Sequence, residues 1–246
     1  MTAAIVTGAA KGIGRACAEL LAERGARVCL VDIDPAVDEI AATLDAAIAA
    51  RADVSRSSEA EAAARAAAAT FGRIDVLVNA AGIQRYGSVV DTPEETWDEV
   101  LGVNLKAAFL MGKHVIPHVT IGAIVNVASV QALAAQRGVA AYAASKGGLV
   151  ALTRAMAIDH APDIRVNAVA PGSVDTPMLR WAAEKFGGDD PDATLAEWGA
   201  MHPMGRVATA REVAEAVTWL ASPAASFVTG SLLRVDGGLL SRIAGT

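Results

Sequence analysis

The sequence predicts an α/β fold, a doubly wound, seven-stranded parallel sheet with helices on both faces. Two observations predict it. Short runs rich in Val, Ile, Leu and Ala alternate with longer helical stretches along most of the 246 residues. These short runs are apolar throughout, as expected for parallel strands that are covered on both faces. Repeated strand–helix alternation favours right-handed crossovers between parallel strands.

In the first half of the chain, each apolar run is followed by a helical stretch. The strands are predicted at Ala3–Thr7, Arg27–Asp32, Ala47–Ala52 and Ile74–Asn79, and the helices at Ile13–Arg24, Val37–Leu44 and Glu59–Phe71. Cys17 lies in the first helix and Cys29 in the second strand, where both are expected to be small buried apolar residues. The Ala-rich segment Ala60–Ala69 is interpreted as plain helix.

The second half repeats the alternation and adds one insertion. Strands are predicted at Gly122–Ala128, Ile164–Val169 and Leu232–Val235, and helices at Glu94–Val119, Ala141–Asp159 and Arg211–Ala221. After the sixth strand, residues 177–207 carry Gly187-Gly188-Asp189-Asp190-Pro191 between two short helical patterns. This segment is predicted to be a lid over a site, and the alternative is an excursion without a function. Since no Pro/Gly/Ser linker divides the chain, residues 1–246 are expected to form a single domain.

Composition argues against several classes of function. The hydrophobic fraction of 53% indicates a large core, and no apolar run approaches the roughly 18 residues of a membrane span. A net charge of −6 without a basic cluster argues against nucleic acid or a membrane as a partner. No cationic leader precedes the first strand, so a cytoplasmic location is expected. His114 and His118 have the spacing of metal ligands, but Pro117 intervenes and no third ligand is near, so no metal site is predicted.

A glycine-rich turn follows the first strand. Thr7-Gly8-Ala9-Ala10-Lys11-Gly12-Ile13-Gly14 leads directly into the first helix, the context in which backbone N–H groups bind a pyrophosphate. Asp32 ends the second strand, where a carboxylate accepts from the ribose hydroxyls and repels a 2′-phosphate. Lys11 favours that phosphate, but an exposed lysine contributes less than the repulsion costs. The sequence therefore predicts a Rossmann-type site that prefers NAD to NADP.

A second motif indicates proton transfer. Tyr142 and Lys146 lie four residues apart near the start of a predicted helix, and Ser129 follows the fifth strand. Because positions i and i+4 share a helix face, the ammonium is expected beside the phenol, where it lowers the phenol's pKa. The alternative is a surface Tyr-Lys pair on an amphipathic helix.

Together these motifs resemble the short-chain dehydrogenase/reductase family in its single-domain form, from Thr7 to about Gly238. The matching motifs are the Thr-Gly-x-x-x-Gly-x-Gly turn, Asp32, Asp53-Val54, Asn79-Ala80-Ala81-Gly82, Asn104, Ser129, Tyr142, Lys146, Asn167, Pro171-Gly172 and Thr176. Many relatives have Asn-Asn-Ala-Gly in place of Asn79-Ala80-Ala81-Gly82. The family generally uses backbone atoms there, so little depends on this difference.

The resemblance implies an NAD-dependent oxidoreductase that interconverts a secondary alcohol and a ketone, or a lactol and a lactone. Tyr142 would be the general acid and base, Lys146 would hold the nicotinamide ribose and lower the Tyr142 pKa, and Ser129 would donate to the substrate oxygen. Asn104 would fix a water that links Lys146 to solvent. The residues implied to bind the cofactor are Gly8, Lys11, Gly12, Ile13, Gly14, Asp32, Asp53, Val54, Asn79, Ala81, Gly82, Tyr142, Lys146, Pro171, Gly172, Val174 and Thr176.

The substrate is predicted to be small and polar, such as a sugar, sugar acid or hydroxy acid. Gln84 matches the substrate-reading glutamine of 3-hydroxybutyrate dehydrogenases, and Gln84-Arg85 resembles a loop of sugar-acid dehydrogenases in the family. Those hydroxybutyrate enzymes have a cation where this chain has Val139, and usually His where it has Gln131. Arg85 could replace the cation, or be a solvated surface arginine. Trp181 could wall the pocket, which leaves a bulkier apolar or aromatic alcohol as the alternative.

Two further expectations concern partners and the class of protein. The apolar Tyr142 helix and C-terminal tail could form two-fold contacts, so a homotetramer or homodimer is expected. A non-catalytic NAD-binding regulator would be expected to have lost Ser129, Tyr142 or Lys146, and this chain has all three.

Overall fold

The computed structural model describes residues 1–188 and 190–241, and its centre is a parallel sheet. The strands are β1 (Ala3–Thr7), β2 (Arg27–Asp32), β3 (Ala47–Arg51), β4 (Val76–Asn79), β5 (Gly122–Val127), β6 (Ile164–Pro171), β7 (Val174–Asp175), β8 (Ala208–Thr209) and β9 (Leu232–Val235). Seven of them form one sheet in the order β3-β2-β1-β4-β5-β6-β9, and every pairing in it is parallel. β7 and β8 pair separately.

Helices cover both faces of the sheet. They are α1 (Gly12–Glu23), α2 (Ala36–Thr43), α3 (Ser57–Phe71), α4 (Glu94–Leu101), α5 (Ala107–Val115), α6 (Ala140–His160), α7 (Pro177–Phe186), α8 (Pro191–Ala200) and α9 (Ala210–Ala221). The apolar faces of α1, α2 and α9 pack on one side of the sheet, and those of α3, α5 and α6 on the other. Within the described ranges, no helix combines the length and apolarity that a bilayer crossing needs. The predicted fold class is confirmed.

Alternate residues of the central strands face opposite cores. Ala4 and Val6 of β1 pack in the layer with α1, while Ala3 and Ile5 pack in the layer with α3, and all four are fully buried. A strand buried on both faces has no polar positions to alternate with apolar ones, which explains its continuously apolar sequence. Cys17 and Cys29 are buried in these layers as free thiols, as predicted, and burial raises the pKa of each to about 12.

The helix predicted at Glu94–Val119 is interrupted. After α4, residues Gly102–Lys106 form a π-helical turn, and the chain then continues as α5. A π-turn inserts one extra residue into the helix and is frequent at functional sites. Beyond α5, Ile116–His118 is a 3₁₀ turn, because Pro117 cannot continue an α-helix.

Residues 177–207 contain two short helices, in agreement with the two helical patterns of the sequence. Thr176 caps α7 by accepting the Leu179 N–H, and Asp190 caps α8 by accepting the Ala193 N–H. The short β7–β8 pair joins the two ends of this segment. Asp189 within it, and residues 242–246 of the predicted domain, lie outside the described residues.

Candidate active site

Polar side chains gather where the parallel strands end. Thr7, Asp32 and Asn79 are the last residues of β1, β2 and β4, and Ser129 lies two residues beyond β5. Since the carboxyl ends of parallel strands share one edge, these side chains lie along a common crevice. In open α/β sheets this edge is where ligands bind.

The glycine turn is closely packed against the loop that follows β4. Gly8 has a φ of +66°, and a Cβ on it would lie 2.8 Å from the Cα and N of Ala81. A Cβ on Gly14 would lie 2.1 Å from the Gly8 carbonyl oxygen. Side chains at these positions would clash with backbone, so the turn requires glycine and leaves its own backbone accessible. This cradle, at the start of α1, fits the pyrophosphate of a dinucleotide.

Thr7 connects the two loops. Its Oγ1 accepts the N–H groups of Ala80 and Ala81 at 3.1 and 3.2 Å. Beside them, Asn79 Nδ2 donates to Asn126 Oδ1 at 2.8 Å, while Asn79 Oδ1 is buried without a hydrogen-bond partner among the described residues. Buried polar atoms are rarely unpaired, so this acceptor fits a site that a polar ligand completes.

Asp32 has acceptor capacity left for a ribose. Its Oδ2 accepts the Ala10 N–H and its Oδ1 accepts the Asp34 N–H, both at 2.9 Å. A carboxylate oxygen can accept more than one hydrogen bond, so each oxygen retains a position for a hydroxyl. The predicted basic residue of the turn, Lys11, is paired: its Nζ lies 3.1 Å from Asp34 Oδ2.

The other predicted cofactor residues surround the same crevice. Thr176 packs over the turn, since a Cβ on Gly12 would lie 3.3 Å from its Cγ2. Val54 is buried, whereas the Asp53 carboxylate accepts from Ser55 and Arg56 in its own loop. The remaining ones border the same edge: Gly82 and Gly172 lie in loops, Ile13 at the start of α1, Pro171 at the end of β6 and Val174 in β7.

A buried histidine supports the loop after β6. His202 follows α8, and its Nδ1 lies 3.0 Å from the Trp198 carbonyl oxygen, while its Nε2 accepts the Ser173 N–H at 3.2 Å. This pattern defines a neutral imidazole with a proton on Nδ1. His202 therefore joins the end of the 177–207 segment to the Pro171-Gly172 loop, a link that the sequence did not reveal.

Tyr142, Lys146 and Ser129 come together as predicted. Tyr142 and Lys146 lie on one face of α6, and the Lys146 Nζ is 5.6 Å from the centroid of the Tyr142 ring. The Ser129 hydroxyl, at the end of β5, is hydrogen bonded to the Tyr142 phenol. The Lys146 Nζ donates to the Val127 carbonyl oxygen at 2.8 Å. All three side chains are buried, which excludes the alternative of a surface Tyr-Lys pair.

The pKa of Tyr142 differs from the expectation. Burial raises it to about 12, although the hydrogen bond from Ser129 acts in the opposite direction. Burial also lowers the pKa of Lys146 to about 8. The prediction that Lys146 holds the phenol's pKa low is therefore wrong for the protein by itself, because desolvation of the ring outweighs the nearby cation.

Asn104 lies in the π-turn, and its side-chain amide makes three hydrogen bonds. Its Oδ1 accepts the Ile83 N–H at 2.8 Å, and its Nδ2 donates to the Ile83 carbonyl oxygen at 2.9 Å and to Ser145 Oγ at 3.0 Å. Ser145 in turn donates to the Tyr142 carbonyl oxygen. The Asn104 side chain thus fixes the loop after β4 against the helix that carries Tyr142.

The predicted substrate residues have different surroundings. Gln84 is half-buried, and its side-chain amide has no partner in the described part of the chain. Gln131 Oε1 accepts the Gln136 N–H at 3.0 Å. Arg85, however, is bound to Glu99 by two hydrogen bonds, at 3.1 and 2.8 Å. Its predicted role as the partner of a substrate carboxylate would require Arg85 to exchange this counter-ion, which α4 supplies.

An aromatic cluster lies beside the site, and of its members only Trp181 was predicted as a substrate residue. The Tyr86 ring stacks on Trp181 at 6.0 Å between centroids and meets the edge of Phe186 at 4.5 Å. Gly87, the next residue, exchanges backbone hydrogen bonds with Gly138 and Ala140 at the start of α6. The cluster therefore connects α7 to the catalytic helix. Its sequence signals are the aromatic residues of the 177–207 segment and the aromatic residue directly after Gln84-Arg85.

Known proteins with a similar sequence or structure are dehydrogenases and reductases. A family model described as enoyl-(acyl carrier protein) reductase matches residues 8–240. The chain is 44% identical to cis-4-hydroxycyclohexanecarboxylate dehydrogenase of Sinomonas cyclohexanicum, over 96% of this chain and 95% of that protein.

Two solved structures share the fold closely. Ligand-free aldohexose dehydrogenase of Thermoplasma acidophilum superposes with a TM-score of 0.94 at 37% identity, covering 100% of this chain and 96% of that one. The 3-ketoacyl-(acyl-carrier-protein) reductase of Brucella melitensis, complexed with NADH, superposes with a TM-score of 0.88 at 36% identity, covering 97% and 98%. The sequence motifs, the parallel sheet and these relatives agree, and the chain belongs to the short-chain dehydrogenase/reductase family as an oxidoreductase acting on CH–OH groups.

Proposed function

We propose that the chain is an NAD-dependent dehydrogenase that interconverts a secondary alcohol and a ketone, or a lactol and a lactone, on a small substrate. The observation that carries the proposal is the convergence of a phenol, a hydroxyl and a buried lysine at the strand edge that holds the glycine turn. The nicotinamide, when bound, exchanges a hydride with the reacting carbon. The protein supplies the proton, the orientation and a dry environment.

Each side chain has one role in this proposal. Tyr142 gives its proton to the forming alkoxide during reduction and accepts it during oxidation. Ser129 donates to the same oxygen as charge develops on it. Lys146 holds the nicotinamide ribose, and Asn104 is a positioning residue that keeps the loop after β4 in register with α6.

Replacement of the tyrosine tests the catalytic assignment. We expect Tyr142→Phe to bind NADH as wild type does, measured by the change in NADH fluorescence, while kcat falls by about 10²- to 10⁴-fold. Retained binding separates a lost proton donor from a misfolded site. Equal turnover of the two proteins would contradict the proposal.

NAD is proposed over NADP because Asp32 offers acceptors to ribose hydroxyls at the end of β2. A 2′-phosphate there would face a fixed carboxylate, and like charges in contact cost several kcal/mol. Asp32→Ala is expected to reduce the ratio of kcat/KM for NAD to that for NADP. An unchanged ratio would show that selectivity lies elsewhere.

A small polar substrate has the support of two glutamine side chains and of one relative. The free amide of Gln84 and the amide nitrogen of Gln131 can bind hydroxyl or carboxylate oxygens. The similar Thermoplasma protein is an aldohexose dehydrogenase. With Arg85 bound to Glu99, a substrate carboxylate would find amide donors there and no free guanidinium.

A ring-shaped, less polar alcohol is the second candidate. The cluster of Tyr86, Trp181 and Phe186 offers aromatic faces next to the catalytic helix, and such faces favour an apolar ring. The similar Sinomonas protein acts on a hydroxycyclohexanecarboxylate. Initial rates of NADH formation with aldohexoses, acyclic hydroxy acids and hydroxycyclohexanecarboxylates separate the candidates. Activity confined to the cyclohexane series would exclude the sugar proposal.

Three further properties remain proposals. Residues 177–207 would cover the bound substrate, since α7 already contacts Tyr86 beside the site. The chain would act as one catalytic domain within a homotetramer or homodimer, and in the cytoplasm. Trp181→Ala tests the cover: KM for the substrate is expected to rise while the dissociation constant of NADH stays constant.

A further inference from the structure

Two carboxylates and two cations lie at the end of the sheet where the adenosine ribose is proposed to bind. Asp32 ends β2, and Asp34 follows two residues later. Lys11 lies in the glycine turn, and Arg51 ends β3 directly opposite Asp32 in the strand ladder. The charges at this edge are therefore balanced, and their pairing determines which of them a ligand meets.

Asp34 is fixed by its neighbours. Its backbone N–H donates to Asp32 Oδ1 at 2.9 Å, and its own Oδ1 accepts the Ala36 N–H at 3.1 Å. Its second oxygen, Oδ2, accepts from Lys11 Nζ at 3.1 Å. These bonds from Ala36 and Lys11, with Arg51 nearby, hold the pKa of Asp34 below its usual value. Asp34 is thus held in place as the counter-ion of the lysine of the turn.

Lys11 is the turn's only basic residue and the cation most suited to meet a 2′-phosphate on the ribose that Asp32 holds. Its pairing with Asp34 cancels the charge that such a phosphate would bind. We propose that Asp34 is a second selectivity-determining residue for the dinucleotide, because it withholds Lys11 from a 2′-phosphate while Asp32 repels that phosphate directly. This inference rests on the proposed NAD-dependent function.

The size of the effect follows from its location. Lys11 and Asp34 are partly exposed, with 61% and 35% of their side-chain surfaces accessible, so solvent screens their interaction. Release of Lys11 is expected to tighten binding of a 2′-phosphate by up to about fivefold, in the range of exposed charge pairs. The gain must shrink as ionic strength rises, because salt screens exposed charges.

The test compares two nucleotides that differ only in the 2′-phosphate, adenosine 2′,5′-bisphosphate and adenosine 5′-phosphate, by isothermal titration calorimetry. We expect Asp34→Asn to tighten binding of the bisphosphate by up to about fivefold, with adenosine 5′-phosphate bound as by wild type. Adding Lys11→Gln to Asp34→Asn is expected to abolish the gain. Asp34→Ser, which retains an acceptor for the Ala36 N–H, should behave as Asp34→Asn does.

Asp38→Asn is the matched control. Asp38 is an exposed carboxylate in the first turn of α2, so the substitution changes the net charge equally without touching Lys11. An equal gain in Asp34→Asn and Asp38→Asn, or no gain in either Asp34 variant, would overturn the inference. Failure of wild type to bind NADH and both nucleotides would instead refute the proposed function, and the inference with it. If the wild type binds NADH normally, and the Asp34 variants keep the wild-type ratio of affinities for the two nucleotides, only the inference is refuted.

Discussion

The Tyr142 phenol is protonated at neutral pH in this structure. Burial raises its pKa to about 12, and the Ser129 hydroxyl is its hydrogen-bond partner. A protonated phenol is the form required to reduce a ketone, whereas oxidation of an alcohol requires the phenolate. The two directions of the reaction should therefore depend on pH in different ways.

We expect kcat/KM for alcohol oxidation to rise about tenfold per pH unit between pH 6 and 8, since the phenolate fraction does so far below the pKa. Over the same range, kcat/KM for ketone reduction should vary little. Initial rates in both directions, in buffers of constant ionic strength, measure this. A plateau of the oxidation rate beginning below pH 7 would mean that the phenol's pKa in the working complex is low, as the family resemblance implies.

Lys146 gives a second, independent pH effect, on stability. Burial lowers its pKa from an ordinary value of 10.5 to about 8 in the folded protein. Between these values the unfolded chain binds more protons than the folded one, so the free energy of unfolding rises with pH. The expected rise between pH 8 and 10 is about 2 kcal/mol.

Urea unfolding of wild type and Lys146→Met at several pH values measures this slope. The methionine variant has no titratable group at this position, so its free energy of unfolding should lack this rise between pH 8 and 10. Parallel pH profiles of the two proteins would contradict a depressed lysine pKa. The same variant should lose turnover, since a buried cation kept despite its cost in stability indicates a functional role.

At the scale of secondary-structure elements, the sequence predicted correctly those strand bounds that depend on local sterics and burial. The bounds of β1 and β2 match, because an apolar run covered on both faces begins and ends where burial does. The π-turn around Asn104 was missed because one inserted residue leaves the hydrophobic pattern of a helix almost unchanged. The two-residue strands β7 and β8 are too short to show a period.

In the site, too, features set by neighbouring residues were predicted and features set by residues farther along the chain were not. The glycine turn and the Tyr142–Lys146 pair were found because their geometry depends on neighbours in sequence. The contacts of Arg85 with Glu99 and of Tyr86 with α7 were not predicted, because these partners lie beyond the reach of local spacing. Local spacing therefore predicted which side chains of the turn and of α6 come together, whereas the surroundings of Arg85 and Tyr86 required the tertiary structure.

The turn between β1 and α1 offers a test at this scale. In Gly14→Ala, the new Cβ would lie 2.1 Å from the Gly8 carbonyl oxygen, so the turn must move. We expect the free energy of unfolding to fall by about 1–3 kcal/mol, and NADH binding to be lost.

Gly147→Ala is the matched control. Its Cβ meets nothing within 4 Å, and alanine in the interior of α6 should stabilise the protein by about 0.5–1 kcal/mol. Urea unfolding measures the stability of both variants, and NADH fluorescence measures their cofactor binding. Tight NADH binding by Gly14→Ala would contradict the inference that the turn requires glycine at this position.

At the scale of the whole molecule, several large apolar side chains remain uncovered. Ile158, near the end of α6, is 79% exposed, and Phe227, in the loop before β9, is fully exposed. Single exposed apolar residues are common, but these two lie on or near the segments predicted to form two-fold contacts. An isologous interface would bury the same side chain twice, once from each copy, so one substitution acts at two places in each pair of subunits.

Size-exclusion chromatography with light scattering tests this arrangement. We expect wild type to have the mass of a dimer or tetramer, and Ile158→Asp or Phe227→Asp to shift the population to smaller species, because a buried carboxylate without a partner opposes association. Ile121→Asp is the control: Ile121 is 69% exposed, and it directly precedes β5, outside α6 and the β9 region. A monomeric wild type, or a loss of mass in the control alone, would show that α6 and the β9 region are not where copies of the chain meet. Retained NADH binding in the dissociated variants would further show that each subunit contains its own complete cofactor site.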